Sequence, residues 1–136
     1  MTATLSLSSP GDARDRAAAL GALAGLFIMK TAMIGALYSQ TPPFPPAVFA
    51  PTFAASLGLS ALCAALISAR SRWFAAAAVP VIAESLLSYG PHKLYPGESA
   101  LFAQTAAVYP AIAAGSALIA VLAVTSVRLW RRFGTD

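Results

Sequence analysis

Long apolar segments alternate with short polar ones along the whole chain. Charge is almost absent from residues 17–38, 47–69, 73–89 and 101–130. A helix crosses a bilayer with about 17–25 mostly apolar residues, so each of the first three segments has the length of one span and the fourth is longer. The pattern predicts an all-α integral membrane protein, with a bundle of four transmembrane helices within residues 17–130.

Polar segments flank the predicted bundle on both sides. Residues 1–16 contain Ser, Pro, Gly and charged residues, and they are predicted to form a disordered tail. Residues 131–136 form a second, shorter tail. The first apolar segment exceeds the hydrophobic region of a secretory signal peptide, which has about 7–15 residues. We therefore expect this segment to be retained as a span.

Composition agrees with lipid as the surrounding solvent. Of the 136 residues, 58% are hydrophobic and 10% are charged, whereas a soluble domain has about 25% charged residues. The net charge of +4 raises the possibility of nucleic acid as a partner. The basic residues are scattered between apolar segments and form no basic stripe, so that partner is not expected. The expected partners are the bilayer itself and other membrane subunits.

The basic residues lie on one side of the predicted bundle. Seven arginines flank the spans at alternate connections: Arg14, Arg16, Arg70, Arg72, Arg128, Arg131 and Arg132. The opposite loops contain only Lys93. By the positive-inside rule, both termini are predicted to be cytoplasmic, which requires an even number of spans. The high alanine content and the excess of arginine over lysine favour a bacterial source, and hence a bacterial inner membrane.

Aromatic residues mark the predicted membrane interfaces. Trp73 and Trp130 lie beside the cytoplasmic arginines, and Tyr38, Tyr89 and Tyr95 lie near the opposite ends of the spans. Tryptophan and tyrosine are enriched at both interfaces of membrane proteins. These five residues are therefore expected to form two aromatic belts.

Two charged residues lie in the interior of the predicted spans, whereas Arg128 lies at the cytoplasmic end of the fourth. Lys30 is about 8 residues from the outer end of the first span, and Glu84 is about 5 residues from the outer end of the third. At a rise of about 1.5 Å per residue, their depths are roughly 12 and 8 Å. Pairing would reduce the cost of burying both charges. Alternatively, Lys30 extends its stem outward to the interface.

Prolines and a tyrosine add to this candidate site. Pro80 precedes Glu84 by four residues and would free the carbonyl of Ala76, so a kink there could create a polar pocket. Pro110 could kink the fourth span in a similar way. Tyr109, beside it, is the third candidate for a binding or transport site, with Lys30 and Glu84. A kink without function is the simpler interpretation of both prolines.

The loop before the fourth span is the most polar part of the predicted outer face. A ligand or partner could contact it, although a merely solvated loop is the simpler interpretation. Its candidate residues are His92, Lys93, Tyr95 and Glu98.

Small residues recur at helical spacing. Gly21 and Gly25 form a GxxxG step, and Ser56 and Ser60 form a second small-xxx-small step. Such steps let helices approach closely. Cys63 is the only cysteine and is expected to be a small buried residue. With one cysteine and one histidine, no metal or cofactor is expected.

Three functional hypotheses follow from these features. The first is a small non-catalytic membrane protein that acts by helix packing, as a homo-oligomer or as an accessory subunit of a membrane complex. The second is a small transporter or channel that uses Lys30 and Glu84, where a carboxylate in the membrane could carry a proton. The third, an enzyme acting on lipid, is the weakest, because no catalytic motif is present and carboxylates are sparse.

Overall fold

A computed structural model describes residues 10–42, 44–94 and 108–133. These residues form four α-helices, and short 3-10 turns at Ala47–Phe49 and Pro91–Leu94 extend the second and third helices. The four helical segments are long and apolar enough to cross a membrane. The α-helices are α1 (Pro10–Ser39), α2 (Ala50–Ser68), α3 (Phe74–Tyr89) and α4 (Val108–Phe133).

Helix α1 begins at Pro10, so the prediction of a disordered tail is wrong for residues 10–16. Proline suits the first turn of a helix, because its missing N–H would have no partner there, and Asp12 in that turn favours the helix dipole. Tertiary contacts add to this local preference, since Asp12 and Asp15 both pair with arginines from other parts of the chain. At 30 residues, α1 is about 45 Å long, which exceeds the ~30 Å hydrocarbon core of a bilayer.

The helices form an antiparallel bundle in which α1 and α3 lie diagonally. Each of these two helices packs against both α2 and α4. The chain crosses from end to end with each helix. We call the end formed by residues 10–16, 69–73 and 128–133 the Arg end. The opposite end, formed by residues 38–42, 44–49, 89–94 and 108–111, is the Pro end.

Large apolar side chains fill the interior on the Arg-end side of the bundle. The ring of Phe74 meets that of Phe133 edge to face, with centroids 5.6 Å apart. Cys63 is buried, as expected, and its Sγ lies 3.7 Å from the Phe74 carbonyl. Many large apolar side chains are also exposed on the outer surface, which suits contact with lipid. Fully buried members of the interior are Leu26, Ile67, Val81, Leu122 and Leu129.

Two glycines allow close helix contacts within the bundle. A Cβ on Gly25 would lie 2.8 Å from Leu118 of α4, and a Cβ on Gly115 would lie 2.5 Å from Cβ of Tyr89. A Cβ on Gly21, in contrast, would meet no atom within 4 Å. The two glycines of the GxxxG step therefore lie in different environments. Gly25 packs against α4 inside the bundle, and Gly21 lies on the outer surface.

Two helices end on a non-glycine residue in the left-handed conformation. Gln40 follows α1 with φ 53°, and Arg70 follows α2 with φ 56°. At both ends the next amide donates back across the turn: Thr41 to the Ala36 carbonyl at 3.0 Å, and Ser71 to the Leu66 carbonyl at 2.9 Å. This is the Schellman arrangement, in which glycine is usually preferred.

Both prolines of the predicted kinks lie in described helices. Pro80 lies within α3, which continues from Phe74 to Tyr89 without interruption. Helix α4 is described from Val108 on, two residues before Pro110. A kink at Pro110 would concern the residues before Val108, so it stays a prediction. The first seven residues of the predicted fourth span, 101–107, lie outside the described residues.

Candidate functional site

Lys30 is fully buried in the bundle, where three acceptors surround its ammonium group. The ammonium forms an ion pair with the Glu84 carboxylate of α3. It also donates hydrogen bonds to Oγ of Ser56 in α2 and, at 2.9 Å, to Oγ of Ser85 in α3. A lysine ammonium has three N–H donors, so each of them has an acceptor here. Lys30 therefore does not extend to the interface, and the expected pairing with Glu84 is present.

Both carboxylate oxygens of Glu84 also accept hydrogen bonds. Its Oε2 accepts from Lys30 and, at 2.6 Å, from the Ser56 hydroxyl. Its Oε1 accepts from the Ser88 hydroxyl at 2.6 Å. The side chain of Glu84 keeps 13% exposure, whereas that of Lys30 has none. We call Lys30, Ser56, Glu84, Ser85 and Ser88 the ion-pair network.

Helical spacing explains why these side chains converge. Glu84 and Ser88 are four residues apart on α3, so one lies above the other on the same face. Ser56 and Ser60 stand in the same relation on α2, and the Ser60 hydroxyl donates to the Ser56 carbonyl at 2.7 Å. This small-xxx-small step therefore faces the interior of the bundle. Sequence reasoning missed the three serines of the network, although two of them lie one and four residues after Glu84.

The network combines charge neutrality with complete hydrogen bonding. A single lysine or carboxylate near mid-bilayer costs about 2.5–3.5 kcal/mol on insertion scales. Pairing cancels the net charge, and the hydroxyls occupy the remaining donors and acceptors, which is the condition under which a buried pair is tolerated. The arrangement connects α1, α2 and α3. An incoming anion could reach the Lys30 ammonium only if one of the existing bonds broke.

A cavity of about 310 Å³ opens beside Glu84 at the Pro end. Its wall is mostly apolar, and its polar groups come from Glu84, Ser88, Thr52 and Lys93. Lys30 is not among the lining residues. The carboxylate side of the network is therefore reachable from the surface, whereas the ammonium side is sealed. The apolar part of the wall includes Met33, Pro45, Phe49, Phe53 and Leu87.

Of the other predicted site residues that the structure describes, only Lys93 lies at this site. Lys93, in the turn Pro91–Leu94, lines the cavity; His92 is half-buried and is not among the residues that line it. Tyr95 and Glu98 lie outside the described residues. Tyr109 in α4 is 56% exposed, and no hydrogen bond joins it to the network in the described structure.

One member of the predicted aromatic belts is inside the bundle. Tyr89 is only 4% exposed, because its ring packs against the bare backbone of Gly115. Its carbonyl accepts a hydrogen bond from the Ser116 hydroxyl at 3.0 Å. The prediction that Tyr89 belongs to an interfacial belt is therefore wrong. Trp73, Trp130 and Tyr38 are exposed.

A second polar cluster lies at the Arg end, and sequence reasoning missed it because it assigned Asp12 and Asp15 to a disordered tail. Both aspartates are buried. Asp12 lies 3.4 Å from Nε of Arg16 and 3.3 Å from Nη2 of Arg70. The arginines that contact Asp15 come from α4: Arg128 at 3.4 Å and Arg132 at 3.1 Å. This cluster attaches the first turns of α1 to α4 and to the connection between α2 and α3.

Comparison of the chain with protein-family models, with curated proteins and with solved structures finds no match. The ion-pair network and the cluster of Asp12 and Asp15 are the most specific chemical features of the described residues. Both connect helices.

Proposed function

We propose that this chain is a small non-catalytic multi-pass membrane protein that acts by packing against other membrane helices. It does so in a homo-oligomer or as an accessory subunit of a membrane complex. The observation that supports this proposal is that Lys30 is fully buried and that each of its three N–H donors has an acceptor. A group that moved a solute would have to exchange its partners during each cycle.

Small residues on the outer surface support the same proposal. Gly21 on α1 and Gly58 on α2 are exposed, and a Cβ on either would meet no atom within 4 Å. Because glycine has no side chain, the backbone of a neighbouring helix can approach closely at these two positions. A bundle held rigid by the ion-pair network presents this surface in one constant shape.

The proposed topology places the Arg end in the cytoplasm of a bacterial inner membrane. Seven arginines lie at that end among the described residues, against Lys93 at the Pro end. Thiol labelling tests this orientation in a Cys63→Ala background. An impermeant maleimide added to intact spheroplasts should modify Thr41→Cys and should modify Ser68→Cys only after lysis. The reverse pattern would contradict the topology.

Native mass spectrometry of the full chain, extracted in a gentle detergent, tests the packing function. The expected masses are multiples of the 13.9 kDa chain, or the chain together with another membrane protein. Gly21→Leu should reduce these assemblies, because it adds bulk to the outer surface and leaves the bundle interior unchanged. Lys30→Met combined with Glu84→Gln should alter assembly and leave solute flux unchanged. A single copy that is unaffected by Gly21→Leu would contradict the proposal.

A small transporter or channel is the second candidate. The cavity beside Glu84 favours it, because the Glu84 carboxylate, two hydroxyl side chains and Lys93 line a space of about 310 Å³ that opens at the Pro end. The test is ion or proton flux in proteoliposomes that contain the wild-type chain. Transport requires a flux that Glu84→Gln abolishes. A flux that survives this substitution, or the absence of any flux, excludes the second candidate.

A further inference from the structure

A groove of about 690 Å³ runs between α1 and α4 at the Arg end. The part of the groove nearest the Arg end is lined by Arg14, Arg128 and Arg132. Asp15 is the only acidic residue that lines it. Farther from the Arg end its wall consists of small apolar side chains that include Ala18, Ala120 and Val124. The groove thus combines a basic end with an apolar channel on one continuous surface.

The basic end is held in place by contacts within the protein. Nη1 of Arg128 lies 3.4 Å from Oδ1 of Asp15, and Nη2 of Arg132 lies 3.1 Å from Oδ2. A Cβ on Gly11 would lie 3.4 Å from the Arg132 guanidinium, so the missing side chain lets this group rest against α1. Among the residues that line the groove, three guanidinium groups stand against one carboxylate.

We propose that this groove binds one anionic phospholipid, with its phosphate at the three arginines and one acyl chain along the apolar wall. The dimensions agree with this assignment. Arg128 and Ala120 are eight residues apart, which is about 12 Å along a helix. The headgroup region is only about 5–8 Å thick on each side of the hydrocarbon core. When the guanidinium groups lie at the level of the phosphates, Ala120 therefore lies at the level of the acyl chains.

Charge and shape favour a lipid over the other occupants. Free phosphate would use the basic end and leave the apolar wall empty. A second copy of the chain in the same orientation would bring its own arginines to the same level, where like charges repel. Basic pockets between membrane helices are typical sites for anionic headgroups. This inference rests on the chain spanning a bilayer, and it does not depend on the packing function proposed above.

Lipid competition measured by native mass spectrometry tests the inference on the full chain. The probes are phosphatidylglycerol and phosphatidylcholine with identical acyl chains, added to the protein in a nonionic detergent. Phosphatidylglycerol should be retained preferentially. Arg14→Gln should lower its apparent affinity about fivefold, which corresponds to the ~1 kcal/mol contributed by one basic residue near a headgroup. Arg72→Gln removes the same charge outside the groove and should change nothing.

A second pair of variants tests the apolar wall. Ala120→Trp should fill the channel and reduce retention of phosphatidylglycerol, whereas Ala114→Trp, exposed elsewhere on α4, should not. The inference is overturned if Arg14→Gln and Arg72→Gln have equal effects, or if both lipids are retained equally. It is also overturned if millimolar inorganic phosphate displaces the lipid, or if a second copy of the chain protects the groove.

Discussion

Lys30 of α1 and Glu84 of α3 form an ion pair across the diagonal of the bundle. Adjacent packed helices lie about 8–10 Å apart, so the axes of diagonal helices in a square arrangement are separated by roughly 11–14 Å. Short side chains do not span that distance. A lysine and a glutamate reach each other, and Ser56 of α2 bonds to both. The pair thereby joins two helices that pack mainly against α2 and α4.

Removing one charge of the pair should be more harmful than removing both. Lys30→Met leaves the Glu84 carboxylate without its cation and should destabilise the bundle by about 3–5 kcal/mol. Adding Glu84→Gln should reduce the loss to roughly 1–2 kcal/mol, because the amide still bonds to the serines. Unfolding by SDS titration in mixed micelles measures both values. Equal losses for the single and double variants would contradict the pairing.

The contribution of each serine to the stability of the bundle should depend on how many charged groups it contacts. Ser56 bonds to both Lys30 and Glu84, whereas Ser88 bonds only to Glu84. We expect Ser56→Ala to cost about 2–3 kcal/mol, since it leaves buried polar atoms without a partner. Ser88→Ala should cost only about 0.5–1.5 kcal/mol, because the Glu84 carboxylate beside the cavity can bond to water instead. The same titration measures these losses. Ser68→Ala, at an exposed site, is the control and should change stability little.

Replacing glycine by alanine should have opposite effects on stability at the packed Gly115 and at Gly21, which has open space around it. Gly115→Ala places a Cβ 2.5 Å from Cβ of Tyr89, and the forced movement of α3 and α4 should cost about 1–3 kcal/mol. Gly21→Ala meets no atom within 4 Å and should instead stabilise the helix by about 0.5–1 kcal/mol. Thermal unfolding in detergent compares the two. A stabilising Gly115→Ala would show that α3 and α4 are not in close contact there.

The two ion-pair clusters should respond differently to salt. The Arg128 and Arg132 side chains that contact Asp15 are 60% and 42% exposed. Asp15→Asn should therefore cost only about 0.2–1 kcal/mol at low ionic strength. This cost should disappear near 1 M salt, where the Debye length is about 3 Å. The cost of Lys30→Met should remain, because its pair is buried. A salt-independent cost for Asp15→Asn would argue against this difference in screening.

The left-handed residue after α2 permits a test of backbone strain. Arg70 has φ 56° and also lies 3.3 Å from Asp12. Arg70→Ala and Arg70→Gly both remove the ion pair, but only glycine adopts this conformation without a Cβ penalty. We therefore expect the glycine variant to be about 1 kcal/mol more stable than the alanine variant. Equal stabilities of the two variants, measured by chemical unfolding, would contradict the assigned conformation.

Sequence patterns were sufficient for the features that depend on length and charge. The four apolar segments are helical in the described structure, and Lys30 and Glu84 pair as their opposite signs and similar depths suggested. One failure concerns the start of α1, which is helical over residues 10–16 where a disordered tail was expected. The others concern orientation about a helix axis. Tyr89 was expected at an interface and is buried, and the two glycines of the GxxxG step face opposite environments.

The sequence by itself determined the number of helices, because a bilayer sets the length of each apolar segment, and it identified the two charges that lipid does not tolerate singly. Only the tertiary structure decided which serines complete the ion-pair network and that Asp12 and Asp15 extend α1 toward the arginines. The reason is physical. In lipid, the outward and inward faces of a helix are both apolar, so the pattern that reveals the buried face of a soluble helix is absent. Close packing of neighbouring helices supplies that information instead.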